Sequence, residues 1–416
     1  MKRIRPEKVY IAKAVEDDPR ALARSERLAA GVEAGEIVRG VTDAQFNDIV
    51  DRRGWKDMPR WGSMKEKRDP DLVLGAFNFH HTPEERKART DRYPNLWFRN
   101  IAGYSGFDYR ADGSPAFFNK ARVVCQSAWE FHTVCGCPYR CAYCNLGSVN
   151  VIQTNIEAFI DYADKRIREE NLPQTIYKWD NQTDINAFEP EYDATRPMVE
   201  YFARQNRNYL LLYTGKSDNV DFLLPYDHKG RTIIQWSLGA KTQSTAIEQE
   251  TAPWDRRILA AAKCEQAGYP VRFRFSPIFP VKNWEQEYTE LIELIFARTH
   301  PDVISLCMFG WMDFDKARSC VDLSLLDERF VKAMEGAAPF LKGRQYGPLP
   351  HEAREAIYDH LIREIRRVSP KTPIALCLDT PEMWTRFKDV LGQTPDNYVC
   401  ACGPVSAPGH PLLHPL

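Results

Sequence analysis

From residue 120 onward the chain alternates between two kinds of hydrophobic pattern. Short apolar runs bounded by turn residues recur at 123–131, 175–180, 209–214, 232–238, 271–278, 303–309 and 373–378. Runs this short and this continuously apolar predict buried parallel strands. Between them the apolar residues fall at helical spacing. Over 154–169, Ile156, Phe159, Ile160, Ala163 and Ile167 line one face, which predicts an amphipathic helix. Strand–helix alternation of this kind predicts an α/β fold, a parallel barrel with its site at the C-terminal ends of the strands.

Residues 1–120 read differently. Charged runs at 64–71 and 84–92 flank the pair His80-His81, and Trp55, Trp61, Trp97 and Phe98 give the segment enough aromatic surface to fold against the barrel. The expected division is an N-terminal extension over 1–120, a barrel over 121–345, and a C-terminal α/β segment with a tail over 346–416. The tail after Cys402 is proline-rich and is expected to be extended. No internal repeat is evident.

Charge narrows the partners only slightly. A formal net charge of −1 over 416 residues gives no global field that would draw in nucleic acid. The start, Met1-Lys2-Arg3-Ile4-Arg5, lacks the apolar core of a secretory leader, and no apolar run is long enough for a bilayer. The expectation is a cytoplasmic protein, off the membrane, whose 11 cysteines serve metal binding or catalysis rather than disulfides.

Three of those cysteines form the most specific motif in the chain. Cys137, Cys141 and Cys144 are spaced C-x3-C-x2-C, with Tyr143 directly before the last thiol. Three soft ligands within eight residues can wrap one inorganic centre, yet they are one short of a closed zinc site or a fully ligated cubane. A three-thiolate [4Fe–4S] cluster leaves one iron open for a cofactor. The alternative is zinc, with Cys135 as the fourth thiolate.

The motif resembles that of the radical S-adenosylmethionine (SAM) superfamily. Other segments resemble the spore photoproduct lyase branch: Pro6-Glu7-Lys8-Val9-Tyr10-Ile11, Thr214-Gly215-Lys216-Ser217-Asp218-Asn219-Val220, and Gly268-Tyr269 running into Phe273-Arg274-Phe275 and Pro277-Ile278. The resemblance covers residues 5–35 and 125–390. It implies a partial (β/α)6-type barrel with N-terminal and C-terminal extensions. It also implies a [4Fe–4S] cluster on Cys137, Cys141 and Cys144, and SAM contacts from Tyr143, Thr183, Lys216 and Ser237. The family returns hydrogen to the repaired thymine through a cysteine. Here the matching segment, Lys178-Trp179-Asp180-Asn181-Gln182-Thr183-Asp184, has no thiol, and the tyrosine expected after the motif is Asn145. The family's Leu-Gly-x-Phe-Arg-Phe motif reads Leu306-Cys307-Met308-Phe309-Gly310-Trp311, without its arginine.

Single residues carry weaker readings. A lone buried cysteine is by default a small hydrophobe, while Cys307 facing a substrate mouth would be a relocated hydrogen donor. Cys377, Cys400 and Cys402 would hold a second metal or form a redox pair. Arg257 is expected to pair with Glu250 structurally, and His80-His81 to lie on the surface. The leading functional expectation is a radical SAM enzyme abstracting hydrogen from a small or nucleoside-like biosynthetic substrate, supplied with electrons by a flavodoxin or ferredoxin. A nucleic-acid lesion lyase with a relocated donor is one alternative, and a zinc-stabilised, non-catalytic scaffold is another.

Overall fold

In a computed structural model, which describes residues 1–147 and 149–413, the apolar runs become strands at the expected places. In chain order the strands are β1 (Lys8–Ala12), β2 (Glu36–Val41), β3 (Asp71–Gly75), β4 (Phe107–Arg110), β5 (Ala128–Phe131), β6 (Val134–Cys135), β7 (Arg140–Cys141) and β8 (Val149–Gln153). They continue with β9 (Ile176–Trp179), β10 (Tyr209–Gly215), β11 (Thr232–Leu238), β12 (Glu248–Gln249), β13 (Val271–Ile278), β14 (Ile304–Met308) and β15 (Ile374–Leu376).

The larger sheet has the order β15-β14-β13-β11-β10-β9-β5-β4. Its strands run parallel from β5 to β15, and β4 pairs antiparallel with β5 at one edge. This is the partial barrel, with its edges unpaired to each other. All seven residues of β11 are buried, as both faces of a covered parallel strand require. Helices Ile156–Glu169, Thr195–Ala203, Trp254–Gln266, Trp284–Arg298 and His351–Val368 follow or separate the strands.

A second sheet, β2-β1-β3-β8-β6, joins the first residues of the chain to the segment carrying the cysteine motif. Tyr10, Phe46, Trp55, Val73, Val149 and Val151 form its core on one side. The sheets do not divide at residue 120. Strand β4, before it, belongs to the barrel, and β8, after it, belongs to the N-terminal sheet.

The tail is not extended. Residues 399–406 fold across the N-terminal ends of the barrel strands. The Pro404 carbonyl accepts from the N–H groups of Thr175 and Ile176 at 2.8 and 2.9 Å. Ala401 N–H donates to Ser305 Oγ, and Arg272 donates to the Ser406 carbonyl at 2.6 Å. The prolines favour a fixed turn over a loose strand because these backbone groups find partners. Residues 414–416 lie outside the described residues.

Candidate active site

The three motif cysteines face one cavity of about 350 Å3, within the range of small-ligand sites. It is lined by the cysteine loop, by Thr183 and Asp184 after β9, by Gly215 and Lys216 at the end of β10, and by Ser276 and Pro277 in β13. These are strand C-terminal ends, where a barrel places its chemistry.

The loop is held from both sides. On the barrel side β7 pairs with β12, Ala142 N–H donates to the Ile247 carbonyl at 2.8 Å, and Gly136 N–H to that of Gln182 at 3.0 Å. From the N-terminal extension, Trp61 and Gly62 donate their N–H groups to the carbonyls of Cys144 and Ala142 at 3.2 and 2.8 Å. The guanidinium of Arg60 donates to the Tyr143 carbonyl at 2.6 Å, and that of Arg99 to the Leu146 carbonyl at 2.8 Å. A β-carbon on Gly62 would drive into the carbonyl oxygen of Cys320, and one on Gly147 into the Trp61 ring. Both positions need glycine for close approach.

Glu248, fully buried, organises the floor beside the loop. It accepts from Tyr143 Oη at 3.0 Å, Gln243 Nε2 at 2.8 Å and Arg257 at 2.9 Å, with Lys216 Nζ 3.5 Å away. Burial opposes its charge, but Lys216 and Arg257 outweigh burial and keep it below the usual carboxylate range. Burial likewise opposes the Lys216 ammonium, and Glu248 and Cys141 raise it. Arg257 therefore pairs with Glu248 rather than Glu250. Glu250 has φ +61° and turns outward to Lys2 and Arg140.

Asp184 and Thr183 complete this end. Asp184 Oδ2 accepts the N–H groups of Lys216 and Ser217 at 2.6 and 2.9 Å, and burial still pushes the carboxyl up to about 7. Its other oxygen, Oδ1, and Thr183 Oγ1 are buried without a hydrogen-bond partner. Unpartnered buried polar atoms beside a cavity mark places where a polar ligand would bond.

The predicted residues are thus only partly brought together. Cys137, Cys141, Cys144, Tyr143, Thr183 and Lys216 share the cavity. Ser237 is buried behind it, 2.5 Å from Tyr213 Oη, so it is the Tyr213 side chain that lines the cavity. Cys135 sits on β6 and lines another hollow with Arg99 and His132, away from the three thiols a zinc site would need. His81 bonds to Tyr104 Oη at 2.7 Å, while His80 is exposed. Among the described residues, no three His, Cys, Asp or Glu side chains are gathered closely enough to hold a single metal ion. A polynuclear cluster, which carries its thiolates on separate irons, does not need that closeness.

Cys307 is buried against Arg274, at 3.3 Å, and against Cys377, and does not line the cavity. Cys125, Cys377 and Cys402 do line it, together with Arg110, Lys178 and Arg274. Contact with Cys307 is the main cause lowering the Cys377 thiol to about 6, with Arg274 assisting against burial. Contact with Cys400 holds the Cys402 thiol well below the ordinary range, with Lys178, Arg110 and Arg274 assisting. Glu248, Asp184 and Tyr213 escaped the sequence reading because acidic and aromatic residues are common. For Asp184 and Tyr213 the available signal was a place just after, or within, a predicted strand, whereas Glu248 lies between the runs at 232–238 and 271–278 and had no such signal.

Residues 118–316 match the family model described as spore photoproduct lyase. The chain is similar to the spore photoproduct lyase of Bacillus subtilis (strain 168), 32% identical over 221 residues that make up 52% of this chain and 60% of that protein. It is also similar to that of Geobacillus sp. (strain Y412MC61), 29% identical over 164 residues, 38% of this chain and 48% of that protein. The alignments therefore span between about half and three fifths of these relatives' length. In three dimensions the chain resembles a spore photoproduct lyase mutant solved with a dinucleoside spore photoproduct. The TM-score is 0.60 at 19% identity, covering 90% of this chain and 99% of that one. Another mutant, solved with bound AdoMet and the same dinucleoside, gives 0.59 at 18% identity, covering 89% and 98%. At these identities the likeness speaks to the fold.

Proposed function

Since this chain is similar in sequence and fold to the spore photoproduct lyases, we propose that it is a radical SAM enzyme acting on a lesion in nucleic acid. The observation that carries the reading is that the three motif cysteines line one cavity with Thr183 and Asp184, each of which holds a buried oxygen without a hydrogen-bond partner. That donor set fits a three-thiolate cluster with a polar cofactor beside it. When bound, a [4Fe–4S] cluster and SAM supply a 5′-deoxyadenosyl radical that abstracts a hydrogen atom.

The chain's own residues prepare the place. Cys137, Cys141 and Cys144 hold the cluster, and the clasp of residues 60–62 fixes the loop that presents them. Lys216, buried and cationic, suits the SAM carboxylate, and Thr183 its hydroxyl or amino groups. Tyr143, tied to Glu248 and packed on Phe279, walls the site with an aromatic face and helps exclude water. Ser237 acts only through Tyr213. An electron donor of flavodoxin or ferredoxin type would complete the system.

The small-molecule substrate expected from the sequence is set aside. The named relatives are spore photoproduct lyases, and two similar structures hold a dinucleoside lesion. With Cys307 outside the cavity lining, direct hydrogen donation from it to substrate is not part of the reading.

The test is anaerobic. The reconstituted full chain, reduced with dithionite and given SAM, is offered ultraviolet-damaged DNA, a dinucleoside spore photoproduct, and a nucleoside panel. Lesion-dependent 5′-deoxyadenosine that disappears in Cys141→Ala is the expected result. Turnover of a nucleoside with none of either lesion would overturn the substrate, and an iron-free reconstituted chain would overturn the chemistry.

A further inference from the structure

Four of the remaining thiols are brought to one place from three distant parts of the chain. Cys125 precedes β5, Cys377 follows β15, and Cys400 and Cys402 belong to the loop folded across the strand ends. Val124 N–H donates to the Asp379 carbonyl at 2.8 Å, which ties the first segment to the second. Gln126 donates to the Tyr398 carbonyl at 3.0 Å, which ties the first to the third. All four cysteines are only part-buried, whereas Cys307 behind them is closed in. Three of the four line the same cavity as the motif cysteines, and Cys400 touches Cys402.

The charges around them are unusual for a protein interior. Arg274 donates to Cys377 Sγ at 3.0 Å and Arg110 to Cys125 Sγ at 3.0 Å, and Lys178 lines the same wall. Glu130 meets both Arg110 and Lys178, at 2.6 and 2.8 Å. Arg274 has no carboxylate partner among the described residues, and its Nε is buried with no partner at all. A buried guanidinium is costly unless an anion answers it. Here the groups within reach are thiols, which answer it only as thiolates.

We infer that Cys125, Cys377, Cys400 and Cys402 are the ligands of a second iron–sulfur cluster, set in the wall of the cavity that the motif cysteines also line. Four thiolates close such a cluster completely, and its negative charge supplies the counter-ion that Arg274 lacks. Zinc fits less well, because a single ion needs its ligands gathered round one point, and these are not. A redox dithiol would use two cysteines and leave the convergence of four without a purpose. A substrate in the cavity would then lie between two inorganic centres. The assignment stands on the wall residues alone and does not depend on the substrate proposed above.

The test counts iron and sulfide in the full chain after anaerobic reconstitution and records its Mössbauer spectrum. Cys137→Ala/Cys141→Ala/Cys144→Ala is expected to keep about half of the wild-type iron, as two four-iron clusters of equal size would divide it. Adding Cys400→Ser and Cys402→Ser in that background is expected to remove the remainder. Complete iron loss in the triple variant, while its circular dichroism stays that of wild type, would overturn the inference. So would zinc retained there in place of iron. If the serine variants fail to fold, the wild-type chain decides alone: iron for one cluster overturns the inference and iron for two supports it. Loss of only the motif cluster's spectrum in the triple variant separates failure here from failure of the radical SAM reading.

Discussion

Glu130 shows how much depends on one side chain. It is 1% exposed and lies between Arg110 and Lys178. Burial works to raise its carboxyl, but Lys178 and Arg110 outweigh burial and lower it to about 2 from an ordinary 4.5. A lowered carboxyl contributes stability that is complete above about pH 4.5 and is lost as the pH falls through about 2. Glu130→Gln leaves the buried Lys178 without its carboxylate and Arg110 with Asp112 as its remaining one, and is expected to cost about 3–5 kcal/mol at neutral pH. In urea titrations the gap between wild type and variant should be widest at pH 7 and narrow steadily below 4.5. Single residues were also where the sequence was hardest to read. Thr183 and Lys216 line the cavity because each follows the C-terminal end of a strand. Ser237 and Cys307 do not reach it, since which face of a strand looks inward depends on pleat and register.

Elements were more legible than residues. Strands β10, β11 and β13 begin where their apolar runs begin, and helix Ile156–Glu169 carries the predicted stripe. The run at 123–131 shortened to Ala128–Phe131, because its first residues instead cross toward β15 and bond to Asp379. The clasp of residues 60–62 on the cysteine loop left no periodic signal, being made of backbone N–H groups and one guanidinium. Its consequence can be measured. Gly62→Ala cannot fit between Cys320 and Ala142, so residues 60–62 must withdraw from the loop. The expected outcome is a folded chain with hydrogen exchange at the amides of Trp61 and residue 62, the clasp's donors, faster by tenfold or more, a free-energy loss of about 1.4 kcal/mol or above. Unchanged exchange would show the clasp to be dispensable.

At the scale of the molecule, composition and alternation disclosed the barrel, while the joins between sheets stayed hidden because distant pairings leave no local pattern. The C-terminal loop illustrates this. Arg272 is fully buried and bidentate to Asp302, at 2.7 Å for each bond, and it also depends on the carbonyl of Ser406. Truncation before residue 399 removes that carbonyl and the Pro404 carbonyl that holds the first residues of β9. A barrel opened at this end is expected to melt several degrees lower, which differential scanning calorimetry would register. An unchanged melting temperature would count against the loop as a structural closure. The clasp over the cysteine motif has a different bearing, on the order of assembly. Residues 60–62 are bonded to the loop through Trp61 and Gly62, and the three cysteines line the cavity. If the three thiols hold a cluster as proposed, its iron would have to arrive before the N-terminal extension docks, or enter through the mouth of the cavity. In the second case a bound substrate would block repair of a damaged cluster, and maturation and turnover would compete for one doorway.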